Sequence, residues 1–134
     1  MTILGIQFDN FLNFQLHINE TIKICSQSFF AMRTFKKHSL NETLLQNIFI
    51  TKIMSKLCYA IPAWWGFTTK SCKDQLQSFL NRTVKFRYYK ESDLTISEIA
   101  DKTDSKLFNS IKDNSSHCLY KLLPSIKNIN YSLR

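Results

Sequence analysis

The sequence has little glycine and little proline, with only two of each among 134 residues. A β-sandwich or barrel needs many tight turns, and those turns usually contain glycine, proline, asparagine or aspartate. The hydrophobic fraction is 44% and includes 11 phenylalanines, so a chain of one-domain length can bury a core. The composition therefore favours a single helical domain over an all-β fold or a disordered chain.

Long apolar runs and metal-ligand spacings are also absent. No stretch approaches the ~20 apolar residues that span a bilayer, and the N-terminus lacks the pattern of a signal peptide. We therefore expect no membrane association and a cytoplasmic or nuclear setting. The cysteine spacing fits no zinc site, the two glycines stand alone, and histidines and carboxylates form no recognisable catalytic cluster. We expect reduced thiols, no metal site and no cofactor.

The first half of the chain combines a short strand with two helical patterns. Residues 2–9 are apolar and rich in isoleucine and phenylalanine, which predicts a β-strand with a bulge at Gly5. This strand has no partner nearby, because residues 13–37 show the three-to-four spacing of an amphipathic helix. Residues 39–42 have the form of a capping box and predict a second helix, which Pro62 ends.

The second half predicts shorter helices. A third helix begins near Ser71, a second capping box is formed by Thr95 and Glu98, and short helices follow over 95–102, 104–112 and 116–123. The expected fold is mainly α, a small bundle of about four to six helices with a short N-terminal β-strand. Its expected parts are residues 1–14 (strand and turn), 15–90 (three helices) and 91–134 (short helices and a tail).

Positive charge is concentrated in and after the third helix. Residues 70–90 carry six cations and one carboxylate, whereas residues 91–114 carry more carboxylates than cations. Cations that alternate with aromatic rings supply both phosphate contacts and stacking surfaces for nucleic acid. The candidate residues are Lys73, Arg82, Lys85, Arg87 and Lys90 for phosphates, with Tyr88 or Tyr89 for base stacking.

Simpler explanations stay open for these residues. A solvated helix end also accounts for the basic stretch, because cations suit the C-terminus of a helix. If the helix continues, Arg82, Lys85 and Tyr89 share one face. Trp64 and Trp65 are predicted either to pack in the core under the connection or to be exposed for the recognition of a partner.

Three motifs follow one another along the chain. They are Leu4-Gly5-Ile6 with Phe8-Asp9, then Leu12-x-Phe14-x-x-His17-Ile18, and later Tyr59-Ala60-x-Pro62-Ala63-Trp64-x-Gly66. In this order and spacing they resemble the reverse transcriptases of LINE-type (non-LTR) retrotransposons, in particular the jockey-like elements of animals. Residues 107–124 also resemble the C-terminal ends of these proteins. The Tyr-Ala-x-Pro-Ala-Trp element is the most specific part.

The resemblance implies that residues 1–14 end a polymerase palm and that the following helices form the thumb, which holds the template–primer duplex. The unpaired strand then belongs to the sheet of a missing palm. These polymerases bind two Mg²⁺ ions on palm aspartates, usually in a Phe/Tyr-x-Asp-Asp motif. This sequence contains no Asp-Asp pair. The resemblance thus implies a truncated fragment without polymerase activity, and Mg²⁺ is expected only in a full-length enzyme.

The expected partners are RNA, DNA or an RNA–DNA hybrid, bound weakly and without sequence preference. Two other interpretations stay open. One is a helical protein-interaction module whose N-terminal strand adds to the sheet of a partner. The other is a non-functional pseudogene product.

Overall fold

The N-terminal residues form a small hairpin. In the computed structural model, which describes residues 1–90 and 93–124, β1 (Thr2–Ile3) pairs antiparallel with β2 (Ile6–Gln7). Leu4 and Gly5 form the turn, with φ values of 48° and 80° that suit a two-residue hairpin loop. The strand predicted over residues 2–9 is therefore two short strands that pair with each other. Gly5 occupies a turn and not the predicted bulge.

Helices make up most of the described chain, which confirms the predicted mainly α-helical bundle. The longest elements are three helices, and a continuous run over residues 42–57 contains a π-helical segment. The bounds are α1 (Gln15–Lys37), α2 (Glu42–Ile48), the π-helical segment (Phe49–Met54), α3 (Ser55–Leu57), α4 (Ile61–Trp64), a 3₁₀ turn (Trp65–Phe67), α5 (Lys70–Lys85), α6 (Ile96–Asp113) and a second 3₁₀ turn (Tyr120–Leu122).

The turn after α1 is a Schellman motif. The Leu40 amide donates to the Phe35 carbonyl at 3.2 Å, and the Ser39 amide donates to the Lys36 carbonyl at 3.1 Å. Ser39 has a φ of 63°, the left-handed value that this motif requires. Ser39 therefore follows the end of α1, and the capping box predicted over residues 39–42 is wrong. The N-cap of α2 is Asn41, whose side chain accepts a backbone N–H.

Two more predicted boundaries differ from the structure. Pro62 lies in the first turn of α4, where its missing N–H costs nothing, and Ala60 at φ 48° has already redirected the chain. The capping box of Thr95 and Glu98 is confirmed. The helix that it opens is one continuous α6, because neither glycine nor proline interrupts residues 96–113.

The remaining boundary differences are small. Thr69, and not Ser71, caps α5. The helix predicted over 116–123 is reduced to the 3₁₀ turn, and the predicted tail after Pro124 lies outside the described residues. Within residues 1–90 and 93–124, no helix combines the length and the apolar character that crossing a membrane requires.

The helices α1 and α5 lie side by side and run in the same direction. Near their N-termini, the Cys72 thiol donates to Gln15 Oε1 at 2.6 Å. Further along, the ring of Phe29 contacts those of Phe79 and Phe86, with centroids 6.1 and 5.2 Å away. The chain returns from the end of α1 to the start of α5 through residues 39–69.

Glycine in place of Ser39 is expected to stabilise the protein by about 0.5–1 kcal/mol, because glycine adopts a left-handed φ without a side-chain clash. Urea unfolding followed by circular dichroism measures the change. The matched control is Ser105→Gly, since Ser105 is exposed inside α6, where glycine costs about 0.5 kcal/mol. A loss of stability in Ser39→Gly similar to that of the control would contradict the Schellman assignment.

Candidate nucleic-acid interface

Three hollows follow one another along α1 and α5, and neighbouring hollows share lining residues; we call this row of hollows the α1–α5 groove. Residues spaced three, four or seven apart line it from both helices. From α1 they are Asn19, Ser26, Phe30, Arg33 and Lys37, and from α5 they are Ser71, Gln75, Ser78, Arg82 and Lys85. The matching spacing follows from two parallel helices, each of which presents the same angular stripe to its neighbour.

The half of the groove near the C-termini of both helices is positively charged. Its cations are Arg33, Lys36, Lys37, Arg82 and Lys85. Asp74 lines only the other half. In the part of the chain that the structure describes, the sole ion pair joins Lys23 to Glu20, so the groove cations have no carboxylate partner there. Unpaired cations that converge on one groove attract a polyanion.

Aromatic rings lie between these cations. The Arg33 guanidinium is 4.9 Å from the ring centroid of Phe86, and the Arg82 guanidinium is 5.5 Å from that of Phe79. Such cation–π contacts hold both guanidinium groups at the groove wall. Phe30 lines the same positive half and is 69% exposed.

Of the predicted phosphate contacts, the structure brings only Arg82 and Lys85 into this groove. Lys73 is nine residues before Arg82, about two and a half turns, so it lies on the opposite side of α5. Its Nζ is 4.6 Å from the ring centroid of Trp65. Lys90 lines a different hollow beside Asp93. The five predicted cations therefore do not form one site.

Arg87 and the two tyrosines follow the end of α5. Arg87 is exposed at φ 62°, and its carbonyl accepts from the side chain of Gln46. Tyr88 is 2% exposed, so no base can stack on its ring in this structure. Tyr89 is half-buried against Phe49, with ring centroids 5.7 Å apart. The predicted stacking role is thus wrong for Tyr88, and the helical face predicted for Tyr89 is absent because α5 ends first.

Sequence reasoning missed the contribution of α1 to this site. Lys36 and Lys37 lie in the last turn of α1, where cations favour the helix dipole. This explanation accounts for both residues without any contact to α5, so it does not indicate a binding role for them. The signal that indicates Arg33 and Lys37 is spacing, because Phe30, Arg33 and Lys37 recur at three and four residues along α1. Only the pairing of the helices shows that this stripe faces Arg82.

The residues of the three motifs meet near the N-terminus of α1, away from the positive half of the groove. The Tyr59 hydroxyl donates to the Leu4 carbonyl at 3.0 Å, and the Trp64 indole N–H donates to the Tyr59 carbonyl at 3.0 Å. The ring of His17 packs edge-on against that of Trp64, with centroids 5.8 Å apart. Ile6 and Trp64 are buried in the shared core. Residues far apart in sequence therefore form one contact network.

Burial assigns both tryptophans to the core and shifts the pKa values of two nearby side chains. Trp64 and Trp65 are both buried, so they are core residues and not exposed recognition aromatics. Burial, with a smaller contribution from Lys56, lowers the pKa of His17. Burial also raises the pKa of the Cys25 thiol to about 11, which keeps it protonated near neutral pH. The cysteines are free thiols, as predicted.

Within residues 1–90 and 93–124, no three histidine, cysteine, aspartate or glutamate side chains converge to form a candidate metal site. Comparisons of the chain with protein families, with curated proteins and with solved structures find no match.

Removal of the Tyr88 hydroxyl in Tyr88→Phe is expected to stabilise the protein by about 1 kcal/mol. This hydroxyl is buried and has no hydrogen-bond partner among the described residues. On folding it therefore gives up its hydrogen bonds to water and gains none in return. Tyr89→Phe is the matched control, because the Tyr89 hydroxyl donates to the Leu94 carbonyl at 2.7 Å. That variant should lose about 0.5–1.5 kcal/mol in urea unfolding. Equal losses in both variants would contradict this assignment.

The free energy of unfolding is expected to fall as the pH is lowered from about 7 to 5. His17 has a lowered pKa in the fold, whereas in the unfolded chain it binds a proton near its ordinary value of about 6.5. The unfolded state therefore gains protons first, which destabilises the fold on acidification. His17→Gln should flatten this dependence, and His38→Gln at an exposed position should leave it unchanged. The same slope in all three proteins would contradict the prediction.

Proposed function

We propose that this chain binds nucleic acid in the α1–α5 groove without sequence preference. The observation that carries the proposal is the convergence of five cations from two parallel helices, without a carboxylate partner among the described residues. Contacts of this kind neutralise phosphates, which are the same at every nucleotide, so they supply affinity without reading a sequence. A setting in the cytoplasm or nucleus, where RNA and DNA occur, fits this role.

We further propose that the chain is a thumb and C-terminal fragment of a reverse transcriptase of the non-LTR retrotransposon type. The contacts among the three motifs support this origin, because Leu4 and Tyr59 are joined by a hydrogen bond across 55 positions. A thumb grips nucleic acid with helices, which fits a groove between α1 and α5. Because the sequence lacks an Asp-Asp pair, we propose a binding role for this chain and no polymerase activity of its own.

Protein interaction at the hairpin is a second candidate function. Leu4 and Phe11 are 83% and 91% exposed. Leu4 lines an apolar hollow together with Ile3, Ile6, Phe8, Leu12, Phe14, Tyr59, Ala60 and Ala63. Large exposed apolar side chains next to such a hollow are typical of protein contact sites. Binding of a protein partner that is insensitive to salt would favour this function over the first.

The affinity for RNA, DNA or their hybrid is expected to fall steeply as salt is added. If four groove cations each neutralise one phosphate, the log–log slope is about −3.6 on a B-form duplex and about −2.8 on a single strand. Fluorescence anisotropy with labelled oligonucleotides at increasing salt concentration measures the slope. A slope near zero would contradict phosphate binding.

Variants locate the binding surface in the same experiment. Arg82→Gln and Lys85→Gln should each reduce the slope by about 0.7–0.9 and weaken binding similarly for all sequences. Lys73→Gln is the matched control, since Lys73 has the same charge on the opposite side of α5. An equal effect of Lys73→Gln would place the binding surface outside the groove.

A further inference from the structure

Phe30 differs from the other rings at the groove. The ring of Phe29 contacts those of Phe79 and Phe86, whereas Phe30 has no ring–ring contact within residues 1–90 and 93–124. It is 69% exposed, on the α1 stripe that also carries Ser26, Arg33 and Lys37. The same hollow that Phe30 lines is lined by Arg82 and Lys85 from α5. An exposed ring therefore stands among cations on both sides.

A ring in this position suits an unpaired base better than a duplex. In a duplex the bases stack on each other and the phosphates face outward, so an exposed ring finds a base face only at an end. In a single strand every base offers a π-face, and stacking on an aromatic side chain contributes to affinity without sequence preference. The cations that flank Phe30 are then placed for the phosphates on either side of a stacked base.

The groove continues along α1 beyond the hollow that Phe30 lines. From Asn19 to Lys37 the groove follows α1 for about 27 Å, at 1.5 Å per residue. The half away from Phe30 has four uncharged polar side chains, three charged ones and two apolar ones; they are Asn19, Ser71, Gln75 and Ser78, then Lys70, Asp74 and Arg82, and then Ile22 and Phe79. Such polar groups form hydrogen bonds with sugars and exposed base edges. The groove is thus long enough for several nucleotides of an extended strand.

We propose that the α1–α5 groove binds single-stranded RNA or DNA in preference to a duplex, and that Phe30 stacks on one of its bases. This inference rests on the proposed nucleic-acid binding in the groove and adds the class of nucleic acid; it does not rest on the proposed thumb origin, for which a duplex is the expected ligand. The flanking cations favour a polyanion in the groove. The exposed ring of Phe30 favours a polyanion whose bases are unpaired and can stack on it.

The test is a direct comparison of two ligands in low salt. Fluorescence anisotropy measures the Kd of the full chain for a labelled strand of about 15 nucleotides and for the same strand in a duplex. The unmodified protein should bind the single strand more tightly. Phe30→Leu keeps an apolar side chain on the helix but removes the π-face, and should weaken single-strand binding by about 5-fold to 100-fold. Its effect on the duplex should stay below about 2-fold.

Two controls separate stacking from other effects. Phe30→Trp keeps a π-face and should retain single-strand binding. Phe35→Leu changes an exposed phenylalanine on α1 about 140° around the helix from Phe30, and should leave both affinities unchanged. Circular dichroism confirms that each variant is folded before its Kd is compared.

The outcomes distinguish this inference from the proposed function. Equal binding of strand and duplex by the unmodified protein, with no effect of Phe30→Leu on either, overturns the single-strand inference alone. In that result a loss in Arg82→Gln still supports phosphate binding in the groove. Absence of salt-dependent binding to any oligonucleotide overturns both. A selective loss of single-strand binding in Phe30→Leu, with binding kept in Phe30→Trp, supports both.

Discussion

The packing of Phe29 between α1 and α5 determines where the charged groove lies. Its ring contacts those of Phe79, Phe86 and Tyr88, with centroids 6.1, 5.2 and 5.7 Å away. These contacts bind the second half of α1 to the end of α5 and to the turn that follows it. Arg33 lies one helical turn beyond Phe29, and it meets the α5 side of the groove for that reason.

The cost of bringing five cations together is small compared with the apolar packing beneath them. Two unit charges about 10 Å apart in water repel by about 0.4 kcal/mol, and salt screens much of that repulsion. Full burial of a phenylalanine side chain such as Phe79 contributes about 1.5–3 kcal/mol. Contacts of Arg33 with Phe86 and of Arg82 with Phe79 offset part of the repulsion. The fold therefore tolerates a groove whose cations have no carboxylate partner within residues 1–90 and 93–124.

Periodicity predicted α1 well, because its long apolar stripe leaves few alternatives, whereas the sequence prediction divided α6 into two short helices. The capping box at Thr95 was equally clear because cap and box residues are local. The capping box predicted at Ser39 was wrong because a serine can cap the start of one helix or follow the end of another. Only its φ value distinguishes the two positions. The burial of Tyr88 could not be predicted, because it depends on a tertiary contact with Phe29. The pairing of α1 with α5, which creates the candidate site, is not encoded in the period of either helix.

Two exposed surfaces of the described residues differ in their chemistry. The hairpin end exposes Leu4 at an apolar hollow, while the second half of α1 exposes Phe30 among cations. Gln15 and Arg33 are separated by 18 residues along α1, or about 27 Å. That distance exceeds the Debye length of about 8 Å at physiological salt, so charge at one end has little influence on the other. The apolar hollow at the hairpin and the cationic half of the groove are therefore electrostatically independent of each other.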